Sequence, residues 1–481
     1  MVNAIASGGR TGAGVAARLQ GATRRQVLAG LGAALGTGTA ALASACATPG
    51  ANTAAGDRRA SKGPVTLRYM AWFFQDFSGI DDVIRQFQEK HPGVTIEKDY
   101  VPSAEFTTKQ AASFVAGTAS DAMWGEGMQF PKFHDSNWTL DLSDRAKADR
   151  LNLRRDYALV GVEIWCDKVR ALPMQVGPRA FYYNKTMIKS VGAPDPWDDL
   201  KGEWTWDDMV KIAQLVTKDT NGDGKPDQWG IQLPYTGLSE GYAMFAWTLG
   251  GAPADYKNMR FTLTTPQFRE AAQFVYDLVA RLKVVVTDEE TAQLRQAGIR
   301  DAFVGGKVAM FLRASPNVGP IMRDVGNSFE WDVAPFPKKD ARRPGVALSS
   351  GNPNIIWSGT KHPDEAYAWL RFLAGPDTQG IFARTRLYTP TLKSVWKDYE
   401  AGPPPHIGTF TSVYRRPYGI HFYHHNTVSS VNPFTEEMRK VYAGTKSLDA
   451  ALRDAEQQMN QLVQYGDCLP FKGMDVPIRP A

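Results

Sequence analysis

The chain has 481 residues, of which 43% are hydrophobic and 22% charged, and a formal net charge of +5. These fractions are those of an ordinary soluble protein. No long Lys/Arg cluster is present, so nucleic acid is not an expected partner. Three cysteines are too few for a disulfide scaffold. Cys166 and Cys468 either pair across a long loop or remain isolated thiols.

The first 45 residues have the pattern of an export signal. Arg24 and Arg25 precede an uncharged run rich in Gly, Ala and Thr, which ends in small residues directly before Cys46. This pattern is typical of a secretory signal, and the paired arginines favour the twin-arginine route. We interpret residues 1–45 as a lipoprotein-type signal peptide and Cys46 as a lipid anchor on the outer face of the cell membrane. Because Ala43 stands where lipoprotein signals have a larger aliphatic residue, ordinary cleavage without lipidation is the alternative.

Residues 46–63 are rich in Ala, Gly, Thr and Pro and predict a flexible tether. The folded part then begins with a strand, an amphipathic helix and a second strand, the β-α-β unit of an α/β fold. The predicted strands are Val65–Trp72, Val94–Ile96, Asp121–Trp124, Phe329–Pro335 and Val346–Trp357. The predicted helices are Asp81–Lys90, Phe106–Ala116, Trp206–Thr217, Pro266–Arg281, His362–Ala374 and Ser447–Tyr465. Residues 406–433 are aromatic, polar and without period, which predicts an irregular segment.

Seven short motifs, in order between residue 64 and about residue 390, carry a family resemblance. They are Phe87–Val94, Ala116–Asp121, Leu172–Pro173 with Phe181–Lys185, Trp204–Asp208, Phe303–Met310, Trp331–Pro337, and Lys361–Ala366 with Phe372–Leu373. Together they resemble family 1 extracellular solute-binding proteins of ABC transporters, the group that contains maltose-binding protein. Ser120 replaces the proline of that family's A-G-T-x-P-D turn, and the last ninety residues match poorly.

The resemblance implies an α/β, two-lobed periplasmic-binding-protein-like fold. Each lobe is expected to hold a mixed, mainly parallel sheet flanked by helices, with the ligand cleft at the hinge. We assign residues 64–176 and 340–386 to lobe 1, and residues 177–339 and 387–481 to lobe 2. The chain should cross between the lobes near residues 175–179, 335–345 and 385–390.

A sugar is the expected ligand, because a pyranose needs flat aromatic surfaces and planar polar groups. Ligands of open α/β sheets bind beyond the carboxyl ends of the strands, so we chose residues at strand ends and at the family's cleft positions. The predicted ligand-binding residues are Trp72, Phe73, Trp124, Gly125, Glu126, Trp247, Arg313, Ser350, Gly351 and Asn352. For the aromatic residues, core packing is the competing interpretation, and for Glu126 and Arg313 it is a solvated surface charge.

A second signal lies in the segment from Asp219 to Asp227. Its alternating polar residues Asp219, Asn221, Asp223, Lys225 and Asp227, with Gly224 at the sixth position, match the first half of an EF-hand-type calcium loop. The twelfth position is Gly230 rather than Glu, so a turn that ends a helix is the alternative. Calcium is therefore a candidate ion, and no cofactor is required.

These patterns predict an exported, lipid-anchored receptor of an ABC importer that binds a mono- or oligosaccharide and is not an enzyme. Its expected partners are the ligand, permease subunits with an ATPase on a separate chain, and the membrane. One alternative is a secreted carbohydrate-active enzyme that uses Glu126 and a second carboxylate as acid and base. The other is a receptor for a non-sugar solute such as a polyamine, a phosphodiester or an iron complex. His421, His424 and His425 have no known metal-ligand spacing, and we interpret them as part of a loop at the cleft rim.

Overall fold

The computed structural model describes residues 63–72, 79–159 and 161–466. The predicted signal peptide, Cys46 and all but the last residue of the predicted tether lie outside the described residues, as do Phe73 and Cys468. Among the described residues, no helix is both long and apolar enough to cross a membrane.

The strands are β1 (Val65–Ala71), β2 (Val94–Tyr100), β3 (Ala122–Trp124), β4 (Ile164–Trp165), β5 (Lys168–Val169), β6 (Leu172–Val176), β7 (Arg179–Asn184), β8 (Trp229–Gln232), β9 (Ala254–Asp255), β10 (Arg260–Phe261), β11 (Val308–Ala314), β12 (Trp331–Ala334), β13 (Gly351–Ile356) and β14 (Thr389–Pro390). The helices are α1 (Ile80–Lys90), α2 (Ser103–Ala116), α3 (Phe130–Asp135), α4 (Ser143–Ala148), α5 (Leu153–Asp156), α6 (Lys185–Ser190), α7 (Trp206–Val216), α8 (Met244–Thr248), α9 (Pro266–Tyr276), α10 (Asp288–Gln296), α11 (Val318–Val325), α12 (Pro363–Leu373), α13 (Pro376–Thr385), α14 (Trp396–Glu400), α15 (Gly408–Ser412), α16 (Thr427–Ser430), α17 (Asn432–Tyr442) and α18 (Leu448–Leu462). Two π-helical segments, Leu238–Ala243 and Asp277–Arg281, precede α8 and follow α9.

Two sheets organise the fold. The first has the strand order β14-β6-β13-β3-β1-β2, and the second has the order β12-β7-β11-β8. In the first sheet β1 pairs in parallel with β2 and β3, whereas β13 is antiparallel to β3 and β6. In the second sheet only the pair of β8 with β11 is parallel. The sheets are therefore mixed as predicted, but the expectation of mainly parallel sheets is wrong.

The antiparallel pairs arise where the chain crosses directly from one sheet to the other without a crossover helix. It passes from β6 to β7 through Gly177 and Pro178, and it returns between β12 and β13. The first passage lies at the predicted residues 175–179, and the second extends beyond the predicted residues 335–345 to Ser350. The third falls after Pro390, because β14 still pairs with β6 in the first sheet, whereas Tyr399 and Phe410 belong to a core cluster of the second sheet. The boundaries of the two lobes remain a prediction.

Most predicted elements are present within a few residues of their expected bounds, because local patterns specify them. In α7 a capping box between Thr205 and Asp208 fixes the start, and the buried residues Trp206, Met209 and Ile212 follow at helical spacing. The irregular segment predicted for residues 406–433 contains α15 and α16, and α17 starts at its end. The strand predicted from Val346 starts only at Gly351, because residues 346–350 form the return crossing.

Cys166 lies in a two-residue turn between β4 and β5, where both Cys166 and Asp167 have positive φ. This is the backbone of a type I′ hairpin turn. Cys166 is disulfide-bonded. Because Cys468 lies outside the described residues, its pairing with Cys166 remains a prediction.

Candidate functional site

The first wall of the candidate site is the loop that follows β3, together with Trp72 directly after β1. Trp124 is 1% exposed and packs edge-on against Trp72, whose ring is partly exposed. Gly125 lies against the ring of Phe130, where a Cβ would come within 2.7 Å of the ring. The aromatic surface that this wall offers to solvent is therefore that of Trp72, whereas Trp124 supports it from below. Phe73 lies outside the described residues.

Glu126 lies at the exposed edge of the first wall. Its side chain reaches solvent, yet burial by surrounding protein raises the pKa of its carboxyl above the usual value. Among the described residues Glu126 has no ion-pair partner, so nothing there offsets the desolvation.

The return strand β13 lies beside this loop. Gly127 follows Glu126, and a Cβ added there would lie 2.8 Å from the carbonyl oxygen of Gly351. Asn352 accepts a hydrogen bond of 2.8 Å from Gln175 at the end of β6. The loop that carries Glu126 thus lies against the start of β13, which carries Gly351 and Asn352.

Arg179, the first residue of β7, connects this region to the second sheet. Its guanidinium donates to the carbonyl of Gly177 in the first crossing and to Ser350 Oγ, at 2.5 Å, in the return crossing. Its Nε donates to Glu240 Oε1 at 3.0 Å, and its second terminal nitrogen donates to the same oxygen. A single buried side chain therefore holds both crossings and the π-helical segment that contains Glu240.

Glu240 starts the second wall of the site. Burial raises the pKa of its carboxyl, but the charge and hydrogen bonds of Arg179 outweigh burial and leave the pKa below its usual value. Arg313, in β11 beside Ala180, is exposed and close enough to Glu240 to add to this effect. Arg313 lies within the strand rather than after it, and its Nε donates to Asn317 at 3.2 Å.

Trp247, on α8, completes the second wall. Its indole is 2% exposed and packs on Gly419, where a Cβ would come within 2.2 Å of the ring. Gly419 in turn bridges to Leu348 in the return crossing. Trp247 is therefore part of the site neighbourhood, but it is covered by the chain around Gly419.

The segment from Tyr418 to Val431 fills the space between the walls. A small cavity is lined by Met128 of the first wall, by Trp247 and Ser239 of the second, and by His421 of this segment. His421 Nδ1 is 3.1 Å from Ser239 Oγ, and burial, followed by the charge of Arg179, lowers its pKa to about 4. Tyr423 contacts the first wall, since its hydroxyl lies 3.5 Å from the position of a Cβ on Gly127. His421 and His424 are therefore buried between the walls rather than exposed at a rim.

Sequence reasoning missed Arg179, Glu240 and Tyr423. Arg179 lies inside the predicted crossing at residues 175–179, directly after Gly177 and Pro178. A charged residue at such a crossing could have indicated a functional role. Glu240 had no such signal, because its partner is 61 residues away in the chain.

The calcium-like loop lies apart, between α7 and β8. Asp219 accepts hydrogen bonds from the backbone N–H groups of Gly222 and Gly224, and Asp227 accepts from Thr220. Among the described residues, no group of three or more His, Cys, Asp or Glu side chains is placed to hold a metal ion. The carboxylates thus stabilise the turn itself, and calcium binding remains a prediction.

These features define a class of protein: two mixed sheets joined by direct crossings, with a buried arginine of the second sheet bonded to both crossings. The family model for bacterial extracellular solute-binding proteins matches residues 74–380. The chain belongs to that family.

Relatives and solved structures agree with this assignment. The chain is 21% identical over 319 residues to a multiple sugar-binding protein of Streptococcus mutans, covering 64% of this chain and 71% of that protein. An ABC substrate-binding protein of Listeria monocytogenes in complex with cycloalternan superposes with a TM-score of 0.73 at 16% identity, covering 83% of this chain and 98% of that one. An ABC transporter solute-binding protein of Thermotoga lettingae bound with α-D-tagatose gives a TM-score of 0.69 at 16% identity, covering 84% and 100%. The two-lobed fold predicted from the sequence is confirmed.

Proposed function

We propose that this protein captures a mono- or oligosaccharide outside the cell membrane and delivers it to the permease of an ABC importer. The observation that carries the proposal is that Arg179 bonds Glu240 and both crossings between the sheets, while Asn352 lies two residues beyond the bonded Ser350 on the side of the first wall. Planar hydrogen-bonding groups beside an aromatic ring suit a polyhydroxylated ligand. The relatives named above bind sugars or are named for doing so.

The proposed mechanism is capture and closure, with no chemistry done on the ligand. A ligand shifts a two-lobed protein toward its closed form only through contacts that it makes better in that form. The first wall follows strands of the first sheet, and Arg313 of the second wall lies in the second sheet. Polar side chains on the two walls can therefore contact one ligand from both sides. The permease is then expected to recognise surface from both lobes.

A thermal-shift panel tests the proposal. Wild-type protein is heated with maltotriose, mannotriose, D-tagatose, spermidine, glycerophosphocholine or a ferric siderophore. A ligand that binds only the native state raises the melting temperature, so at least one sugar should do so. A shift with a non-sugar alone would contradict the sugar assignment, and release of reducing ends from an oligosaccharide would favour the carbohydrate-active enzyme.

We further propose that the chain leaves the cytoplasm by the twin-arginine route and is anchored through a lipid on Cys46. The support is the signal pattern of residues 1–45. In the native host the protein should fractionate with membranes, and Cys46→Ser should release it while the Arg24→Lys, Arg25→Lys pair should stop export. Membrane association that persists in Cys46→Ser would contradict the anchor.

A further inference from the structure

Glu240 combines two properties that a purely structural ion pair does not need. Its Oε1 accepts both hydrogen bonds from Arg179, while its Oε2 accepts none from the described residues. The side chain of Arg179 is 10% exposed, whereas that of Glu240 is 30% exposed. The arginine is thus enclosed, and the carboxylate retains a free oxygen and access to solvent.

A hydrogen-bond donor without a partner lies on α8, which directly follows the π-helical segment that carries Glu240. The indole Nε1 of Trp247 is buried and donates to none of the described residues. Buried polar groups nearly always have a hydrogen-bond partner, so each exception needs an explanation. Trp247 lines the same small cavity as Ser239, which directly precedes Glu240 in sequence, and His421, whose Nδ1 lies 3.1 Å from Ser239 Oγ. Because the chain around Gly419 covers the ring, a ligand oxygen would satisfy the indole N–H only by entering this cavity.

The charges around Glu240 restrict the class of ligand. Arg179 neutralises the carboxylate directly, and Arg313 adds a second positive charge at longer range. A cationic ligand such as a polyamine needs carboxylates without such partners. A neutral polyhydroxylated ligand instead gains from a fixed carboxylate that accepts hydroxyl hydrogen bonds, since such charge-assisted bonds are the stronger ones.

We propose that Glu240 is a ligand-binding residue that accepts hydroxyl hydrogen bonds from a neutral sugar, and that Arg179 is its positioning residue. Arg179 sets the carboxylate in place against Gly177 and Ser350 of the two crossings. The bound sugar therefore contacts a group whose position depends on the geometry of the hinge. This inference rests on the proposed sugar-receptor function.

The test measures affinity and stability separately. Wild type, Glu240→Gln, Arg179→Met and the double variant Arg179→Met/Glu240→Gln are titrated calorimetrically with maltotriose, mannotriose and D-tagatose, and each is unfolded in urea. Glu240→Gln should lose at least about tenfold in affinity for the sugar that binds wild type, as expected for a hydrogen bond to a charged group. Arg179→Met should lose both affinity and stability, because it leaves the carboxylate without its partner.

The double variant separates a binding role from a structural one. Removing both charges should restore much of the stability lost in Arg179→Met, but it should not restore affinity, because the carboxylate is gone. Glu400→Gln is the matched control, since Glu400 accepts a 2.8 Å bond from Arg415 and is also partly buried, with 26% of its side chain exposed. It should bind sugar as wild type does.

The outcomes distinguish this inference from the proposed function. Suppose that wild type binds a sugar and that folded Glu240→Gln binds it with an affinity within twofold of wild type. Glu240 is then not a ligand-binding residue, and this inference is overturned while the proposed function stands. Recovery of both affinity and stability in the double variant would overturn it as well. If wild type binds a non-sugar of the thermal-shift panel and no sugar, the proposed function and this inference fail together.

Discussion

The two walls of the candidate site hold their carboxylates in opposite ways. On the first wall Glu126 is flanked by glycines, has no ion-pair partner among the described residues, and burial raises its pKa. On the second wall Glu240 projects from a helical segment, and Arg179 leaves its pKa below the usual value. The carboxylate of the first wall is thus held by no charged partner among the described residues, whereas that of the second wall is held in place by Arg179. If both bind ligand as we propose, Glu240 should contribute more to affinity than Glu126.

Acid pH should produce the largest change in the free energy of unfolding, and buried histidines near both walls contribute to it. Burial lowers the pKa of His134, behind the first wall, to about 3, and those of His421 and His424 to about 4. The unfolded chain binds these protons at a pKa near 6.5, so the free energy of unfolding should fall as the pH drops from 6.5 towards 4. Each histidine contributes up to about 1.4 kcal/mol per pH unit.

Urea unfolding at a series of pH values checks this. His134→Gln and His421→Gln should each reduce the fall in unfolding free energy between pH 6.5 and pH 4. The control is His362→Gln, because His362 is partly exposed. A fall that neither variant changes would contradict the account.

The next largest effect is the loss of unfolding free energy when a glycine in close contact with backbone is replaced by alanine. This loss should differ between the two walls. A Cβ at Gly241 on the second wall would lie 2.2 Å from the carbonyl oxygen of Pro234, whereas one at Gly127 on the first wall would lie 2.8 Å from that of Gly351. Gly241→Ala should therefore cost about 2–3 kcal/mol of unfolding free energy, and Gly127→Ala about 1 kcal/mol. Equal costs, measured by urea unfolding, would show that the walls do not differ in rigidity.

Much of the first wall could be predicted from the sequence, because it is assembled from consecutive elements. Each of β1, α1, β2 and β3 is predicted by its own local sequence pattern. Once the end of a strand is predicted, the residues that follow it at the edge of the sheet are predicted as well. The second wall depends on contacts between distant residues. Arg179 meets Glu240 61 residues away, and Trp247 packs on Gly419, neither of which has a periodic signal.

The helix α17 was missed for a different reason. The predicted irregular segment ends at Pro433, whereas in the structure Pro433 lies in the first turn of α17, a position that proline favours. The buried residues Phe434, Glu437, Met438 and Val441 have helical spacing and would have identified it.

Glu126→Gln should have a smaller effect on binding than Glu240→Gln. Glu126 lacks a positioning partner, and its raised pKa makes a neutral group there less disruptive, so we expect a loss in sugar affinity of about threefold, or roughly 0.7 kcal/mol. Calorimetric titration of the two variants side by side measures the difference. A larger loss for Glu126→Gln would reverse the roles assigned to the walls.

Calcium should have the smallest effect. If the Asp219–Asp227 loop binds the ion, millimolar calcium should raise the melting temperature of wild type by a degree or so, as about 0.5 kcal/mol would in a protein of this size. Asp223→Asn should remove that shift, whereas Asp340→Asn, in another exposed turn, should not. The absence of a shift in wild type would leave the loop as a turn that connects α7 to β8.

The most direct test of the account is calorimetric titration of the wild-type protein with maltotriose, mannotriose and D-tagatose, followed by chromatography of the recovered sugar. We expect saturable binding of at least one sugar at one site per chain, with the sugar recovered unchanged. Binding of spermidine in place of every sugar, or recovery of a cleaved oligosaccharide, would contradict it.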